Sequence, residues 1–226
     1  MRLLLFDIDG TLIRTDGVGK RGLNRAFEAL YGIPNIMGDI LLAGQTDDKI
    51  MKNAYAAAGM NFSYQELSRF KKVYFDIIAE EMQKDGHDRA LMPGIAELLP
   101  ELERRPDTFL GLLTGNWEKS GRIKIDYFGL NSFFPFGAFA DDSPERADLV
   151  PIGMRRFTDK YGLELEPKDV FVIGDTPADV YCTKPHSVVS VAVAAAFHSL
   201  EELAACEPDI LLQDFSDVNA LKLLTE

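Results

Sequence analysis

The sequence predicts an α/β protein: a parallel sheet of βα units, interrupted after its first strand by a block of helices. Three observations carry this. An apolar run, Leu3-Leu4-Leu5-Phe6, empties into Asp7-Ile8-Asp9-Gly10-Thr11, the pattern of a buried strand ending in a polar turn. Short apolar, β-branched runs then recur through the second half, separated by segments of helical periodicity, which is the alternation of βα units. Residues 15–88, by contrast, carry amphipathic helical patterns and little sign of a strand.

The elements follow in order. Within the helical block, residues 21–31, 47–58 and 64–84 are predicted helices, the first with Leu23, Ala26, Phe27 and Leu30 on its apolar face. Gly32-Ile33-Pro34 and Gly59-Met60-Asn61 break them apart. Ile95, Leu98, Leu99 and Leu102 form a later apolar stripe, with Pro93 near the helix start. Residues 109–113, 137–140, 170–173 and 188–193 read as buried strands, and Ile210–Leu212 as a short edge strand. Residues 149–161 are a helix ended by Gly162, and Ser199-Leu200-Glu201-Glu202 has capping-box spacing for a helix to about Cys206. The expected division is a core of residues 1–14 and 89–226, with residues 15–88 as a cap over it.

The chain's 226 residues are enough for a proper core, and its net charge of −12 argues against general affinity for nucleic acid or anionic membranes. Two cysteines, Cys182 and Cys206, indicate no disulfide framework and are expected to be reduced. No apolar stretch approaches a membrane span, and the acids at Asp7 and Asp9 interrupt the only candidate leader. A cytoplasmic location is expected.

The chemistry sits at strand ends, where open parallel sheets gather ligands. In extended backbone Asp7 and Asp9 face one side, and two close carboxylates call for a proton or a cation. Magnesium, a hard ion preferring oxygen ligands, is the expected occupant. Past the strand at 109–113, Thr114-Gly115-Asn116 offers a hydroxyl and backbone donors to an oxyanion. Past the strand at 170–173 comes a second acidic cluster, Gly174-Asp175-Thr176-Pro177-Ala178-Asp179, in which Thr176 can cap a helix begun by Pro177.

Asp-x-Asp-Gly-Thr, Thr-Gly-Asn and Gly-Asp-Thr-Pro-x-Asp, in this order and with a helical insert after the first, resemble the haloacid dehalogenase-like hydrolase superfamily. The likeness is greatest to its phosphoglycolate phosphatase-like branch. The resemblance implies a Rossmann-like parallel-sheet core with an inserted α-helical cap domain. It implies Asp7 as the nucleophile, forming an aspartyl phosphate, and Asp9 as the acid and then the base. Magnesium would be held by Asp7, the Asp9 main-chain carbonyl and Asp175. Thr114, Gly115 and Asn116 would bind phosphate, and Asp179 would orient the metal's waters or the phosphate-side cation. The usual phosphate lysine has no clear counterpart. Arg146 is the best positional match, while Lys119, Lys124, Lys160 and Lys184 are less well placed.

The expected activity is phosphomonoester hydrolysis on a small phosphorylated metabolite, with phosphoglycolate the first substrate to try. Asp9 argues against dehalogenation. A sugar-phosphate mutase of the same superfamily and a non-catalytic phosphate-binding protein are the alternatives. Gly44, Thr46 and Asp47 are candidate specificity contacts, although a helix N-cap explains Thr46 or Asp47 equally well. Trp117 is expected in the core rather than at the site entrance, and His87, His186 and His198 show no metal-ligand spacing. Phe133, Phe134 and Phe136 are expected in the core. A monomer or homodimer fits these features.

Overall fold

In a computed structural model, which describes residues 1–217 and 219–225, the sheet is parallel and six-stranded. β1 (Arg2–Phe6) leads into a two-residue strand, β2 (Ile13–Arg14), and then into helices α1 (Val18–Tyr31), α2 (Asp47–Ala57) and α3 (Tyr64–Gln83). β3 (Ala90–Leu91) pairs antiparallel with β2, so the two connections of the helical insert run side by side. Then come α4 (Ile95–Glu103), β4 (Thr108–Leu113), α5 (Glu118–Asp126), β5 (Gly137–Ala138) and α6 (Arg146–Tyr161). β6 (Val170–Gly174), α7 (Pro177–Tyr181), β7 (Val189–Val193), α8 (Leu200–Ala204), β8 (Ile210–Leu212) and α9 (Ala220–Thr225) complete the chain.

The main sheet runs β5-β4-β1-β6-β7-β8. After β1 the chain builds β4 and β5 on one side, then returns to build β6 to β8 on the other. The reversal puts a topological switch point at the carboxyl end of β1, where such sheets bind ligands. Alternation along β1 sorts its side chains into two layers. Leu4 and Phe6 pack with Ile95, Leu98, Leu99 and Leu102 of α4, whereas Leu3 and Leu5 pack with Leu149, Val150 and Phe157 of α6. These four residues are fully buried, each contributing about 1.5–3 kcal/mol of transfer free energy. The architecture is the Rossmann-like three-layer α/β arrangement.

The helical insert has its own apolar cluster, built around Phe27, Met51, Tyr55, Phe70, Tyr74 and Ile78. Trp117, from the segment between β4 and α5, joins that cluster instead of the sheet's core. It sits edge-on to Tyr74 and Phe75, with its indole N–H donating to Asp48 at 2.6 Å. Phe134 and Phe136 are buried on opposite faces of the sheet, and Phe133 is partly buried. Cys182 and Cys206 are buried and free. Among the described residues, no helix is long and apolar enough to cross a membrane.

Two sequence expectations need correction. The strand expected over residues 137–140 is only Gly137–Ala138, because the Phe139 N–H turns to Asp142 and the Ala140 N–H to the Asn116 carbonyl. α6 begins at Arg146 rather than residue 149, since Arg146 is drawn inward by buried carboxylates.

Candidate active site

β4, β1 and β6 are adjacent, and their carboxyl ends bring Thr114, Asp7 and Asp175 together. Asp7 is buried and extends the ladder by donating its N–H to the Ile173 carbonyl at 2.9 Å. The chain then turns at once: the Ile8 carbonyl accepts from Thr11, Leu12 and Ile13, while the Gly10 N–H donates to Ile13. Gly10 has φ +84°, and a Cβ there would run into the Asp175 carboxylate. Only glycine serves, on both conformational and steric grounds.

Asp7, Asp175 and Asp179 can each offer an oxygen, all within 4.8 Å of one another, and all three residues are buried. Three carboxylates so close repel each other. Arg146 answers part of this charge, with Nη2 3.2 Å from Asp7 Oδ1 and a closer pairing with Asp179. Burial pushes the Asp7 carboxyl up to about 6, against the pull of Arg146 and with a further push from Asp179. Burial, followed by the charges of Asp179 and Asp7, pushes Asp175 up to about 8. Asp175 Oδ1 accepts from the Thr11 hydroxyl at 3.2 Å, but Oδ2 is buried with no hydrogen-bond partner. A buried carboxylate oxygen left unsatisfied beside two other acids is what a hard divalent cation fits. Asp179 is less available, because Oδ2 accepts from both the N–H and the hydroxyl of Thr176 and Oδ1 faces Arg146.

Thr114 is fully buried, and its hydroxyl is among the groups that hold the Asp7 carboxyl down against the push of burial. Asn116 donates from Nδ2 to Thr114 Oγ1 and to Asp9 Oδ2, both at 2.9 Å. Asp9 is also paired with Lys124, Nζ to Oδ2 at 2.5 Å. Lys124, which the sequence places less well than Arg146 as a phosphate cation, is thus paired with Asp9. Ser120 and Lys124 are spaced i, i+4 on α5, one face of the helix, and Asn116 lies just before its N-cap, Trp117; that spacing was the available signal.

The insert reaches the same loop. The Asp47 N–H donates to the Gly115 carbonyl at 2.7 Å, and the Asp47 carboxyl accepts from the Trp117 N–H at 2.9 Å. Burial pushes Asp47 up to about 6 against the attraction of Lys124. Thr46 is the N-cap of α2 and donates its hydroxyl to the Pro144 carbonyl at 2.6 Å. A Cβ on Gly115 would collide with the Gln45 carbonyl, so glycine is what lets the insert seat on this loop. Gly44 lies against Ala178 and Thr176, on the side of a cavity of about 290 Å³ that also touches Arg146. His198 and His186 bond to the Asp175 and Ala147 carbonyls, and His87 pairs with Asp16.

Fold and site together define a Rossmann-like α/β protein whose strand-end acids are suited to a divalent cation, beside a buried arginine and a hydroxyl suited to an anion. The chain belongs to the haloacid dehalogenase-like hydrolase family, whose sequence profile matches residues 4–193. It is 23% identical over 230 residues to a phosphoglycolate phosphatase of Vibrio vulnificus, covering 96% of this chain and 94% of the relative. It is 26% identical over 217 residues to a validoxylamine A 7′-phosphate phosphatase of Streptomyces hygroscopicus subsp. limoneus, covering 96% and 95%. Among solved structures, a CbbY variant from Rhodobacter sphaeroides in complex with xylulose-(1,5)bisphosphate superposes with a TM-score of 0.78 at 20% identity, covering 99% of each chain.

Proposed function

We propose that this protein is a magnesium-dependent phosphomonoesterase acting on a small phosphorylated metabolite through an aspartyl phosphate on Asp7. The observation that carries this reading is the charge arrangement at the switch point. A buried carboxylate at the strand end faces a buried arginine and a threonine hydroxyl, with a second carboxylate, Asp9, two residues on. The names of the curated relatives, several of them phosphoglycolate phosphatases, support the reaction class.

In this mechanism Arg146, Thr114 and the backbone N–H groups of Gly115 and Asn116 hold the phosphoryl oxygens. The Asp7 carboxylate attacks phosphorus while Asp9 gives a proton to the departing oxygen. Asp9 then takes a proton from the water that opens the acyl phosphate, and Asp7 is regenerated. The Asp7 and Asp175 carboxylates, with the Asp9 carbonyl, would hold magnesium, which when bound offsets the repulsion between an anionic nucleophile and an anionic phosphate. Asp179 keeps Arg146 in place. The helical insert acts as the cap, and Gly44, Thr46 and Asp47 contribute to specificity. Phosphoglycolate is the first substrate on this reading.

A panel of phosphate monoesters, with p-nitrophenyl phosphate as the general probe, tests it. Turnover that needs magnesium and stops with a chelator is expected. No metal-dependent turnover on any ester refutes it.

A further inference from the structure

Lys124 lies on α5, only 4% exposed, where an ammonium loses most of its hydration. Two acceptors compensate it: Asp9 Oδ2 at 2.5 Å and Asn116 Oδ1 at 2.7 Å. The insert closes over it, with Gly19 of α1 the residue against its Nζ and the Asp47 carboxyl acting on it electrostatically.

Lysine can only donate, and this has a consequence two residues away. Because Nζ takes the Asn116 carbonyl oxygen, the Asn116 amide nitrogen must face Thr114 Oγ1 and Asp9 Oδ2. The Thr114 oxygen then accepts twice, from Asn116 Nδ2 at 2.9 Å and from the Asn116 N–H at 3.3 Å. Its own hydrogen is thereby directed away from Asn116 and is available to Asp7, whose carboxyl this hydroxyl helps to hold down. On Asp9, the bonds from Lys124 and Asn116 both fall on Oδ2, which leaves Oδ1 for proton transfer.

We propose that Lys124 is a positioning residue of the reaction: through Asn116 it fixes the donor direction of Thr114, and directly it fixes which oxygen Asp9 presents. It does not itself hold the phosphoryl group, a task that falls to Arg146 and the threonine loop. The inference rests on the hydrolase reading above.

The test compares wild type with Lys124→Met, which keeps the aliphatic stem, and with Lys124→Ala, which opens room for an amine. Asp9 has a 30% exposed side chain, so water can replace the lost ammonium and the variants are expected to fold. With p-nitrophenyl phosphate and magnesium, Lys124→Met should lose kcat on the order of 100-fold, the scale for misplaced catalytic groups. KM and the inhibition constant of inorganic phosphate should stay within about threefold, since the phosphate contacts remain. Added n-propylamine should restore kcat to Lys124→Ala in a saturable way and leave Lys124→Met unaffected.

The proposal is overturned if Lys124→Met turns over like wild type. It is also overturned if phosphate inhibition weakens in step with kcat, or if no amine rescues Lys124→Ala. Thermal unfolding of both variants reports folding, and amine rescue decides even if Lys124→Met is unstable, because it is read on Lys124→Ala. An inactive wild type overturns the hydrolase reading and this inference with it, whereas an active wild type matched by Lys124→Met overturns this inference alone.

Discussion

Replacing Arg146 by methionine removes the only cation paired with Asp7 and Asp179 among the described residues, leaving Asp7, Asp175 and Asp179 as buried acids. Arg146, Asp7 and Asp179 have side chains 8%, 10% and 1% exposed, so water offers little relief. Breaking a buried pair from one side costs about 3–5 kcal/mol. Proton uptake offsets some of this, because burial already holds Asp7 at about 6. A net loss of about 3 kcal/mol at neutral pH corresponds to roughly 6–12 °C in Tm for a chain of this size. The sign with pH is fixed: removing the cation that pulls Asp7 down raises Asp7 further, so the variant binds more protons when folded and loses less stability at about pH 5 than at pH 8. Differential scanning calorimetry without metal, on wild type, Arg146→Met and Arg146→Lys, measures it. Arg146→Lys should recover much of the loss, because it keeps the charge but not the fork. A Tm for Arg146→Met within a degree or so of wild type at pH 8 would refute the reasoning.

Three further outcomes follow from other contacts. Glu81 is a buried acid of the insert, and burial raising its pKa is outweighed by Lys84, Arg25 and Arg21, which hold it at about 2. Glu81→Gln should cost about 2 kcal/mol at neutral pH, the scale of charged hydrogen bonds, and because that contribution exists above about 4.3 and fades toward 2, the gap should narrow from about pH 5 to pH 3 in urea titrations. Trp117→Phe removes the N–H on Asp48 and should cost about 1–3 kcal/mol by urea unfolding followed by circular dichroism, with an unchanged midpoint refuting the docking role. Asp175→Asn should abolish the rise in Tm that magnesium gives wild type, while the metal-free variant stays near the wild-type midpoint at pH 7, where a carboxyl held at about 8 is already largely protonated, and exceeds it above pH 8, where a buried like charge is gone.

Where the sequence speaks clearly, local pattern and tertiary role agree. Leu3 to Phe6 are apolar without alternation because β1 is covered on both faces, and that pattern alone places a central strand. The strand-end acids were legible for a related reason: the topology of a parallel sheet brings the ends of β1 and β6 together however far apart they lie in sequence. β2 and β3 were not legible, since two residues carry no period and their pairing depends on the insert's two connections meeting. Trp117 reads as core from its size, but nothing local says that the core it enters belongs to the insert. Lys124 looks like a surface lysine until α5 is placed, when its side chain reaches back past the helix start to Asn116 and Asp9.

The central claim is that Asp7 becomes covalently phosphorylated. Rapid acid quench of the protein with labelled substrate and magnesium, followed by peptide mapping, tests it most directly. A phosphorylated peptide containing Asp7 is expected in wild type, and none in Asp7→Asn. Steady turnover by Asp7→Asn, or label recovered on any other residue, would contradict the account.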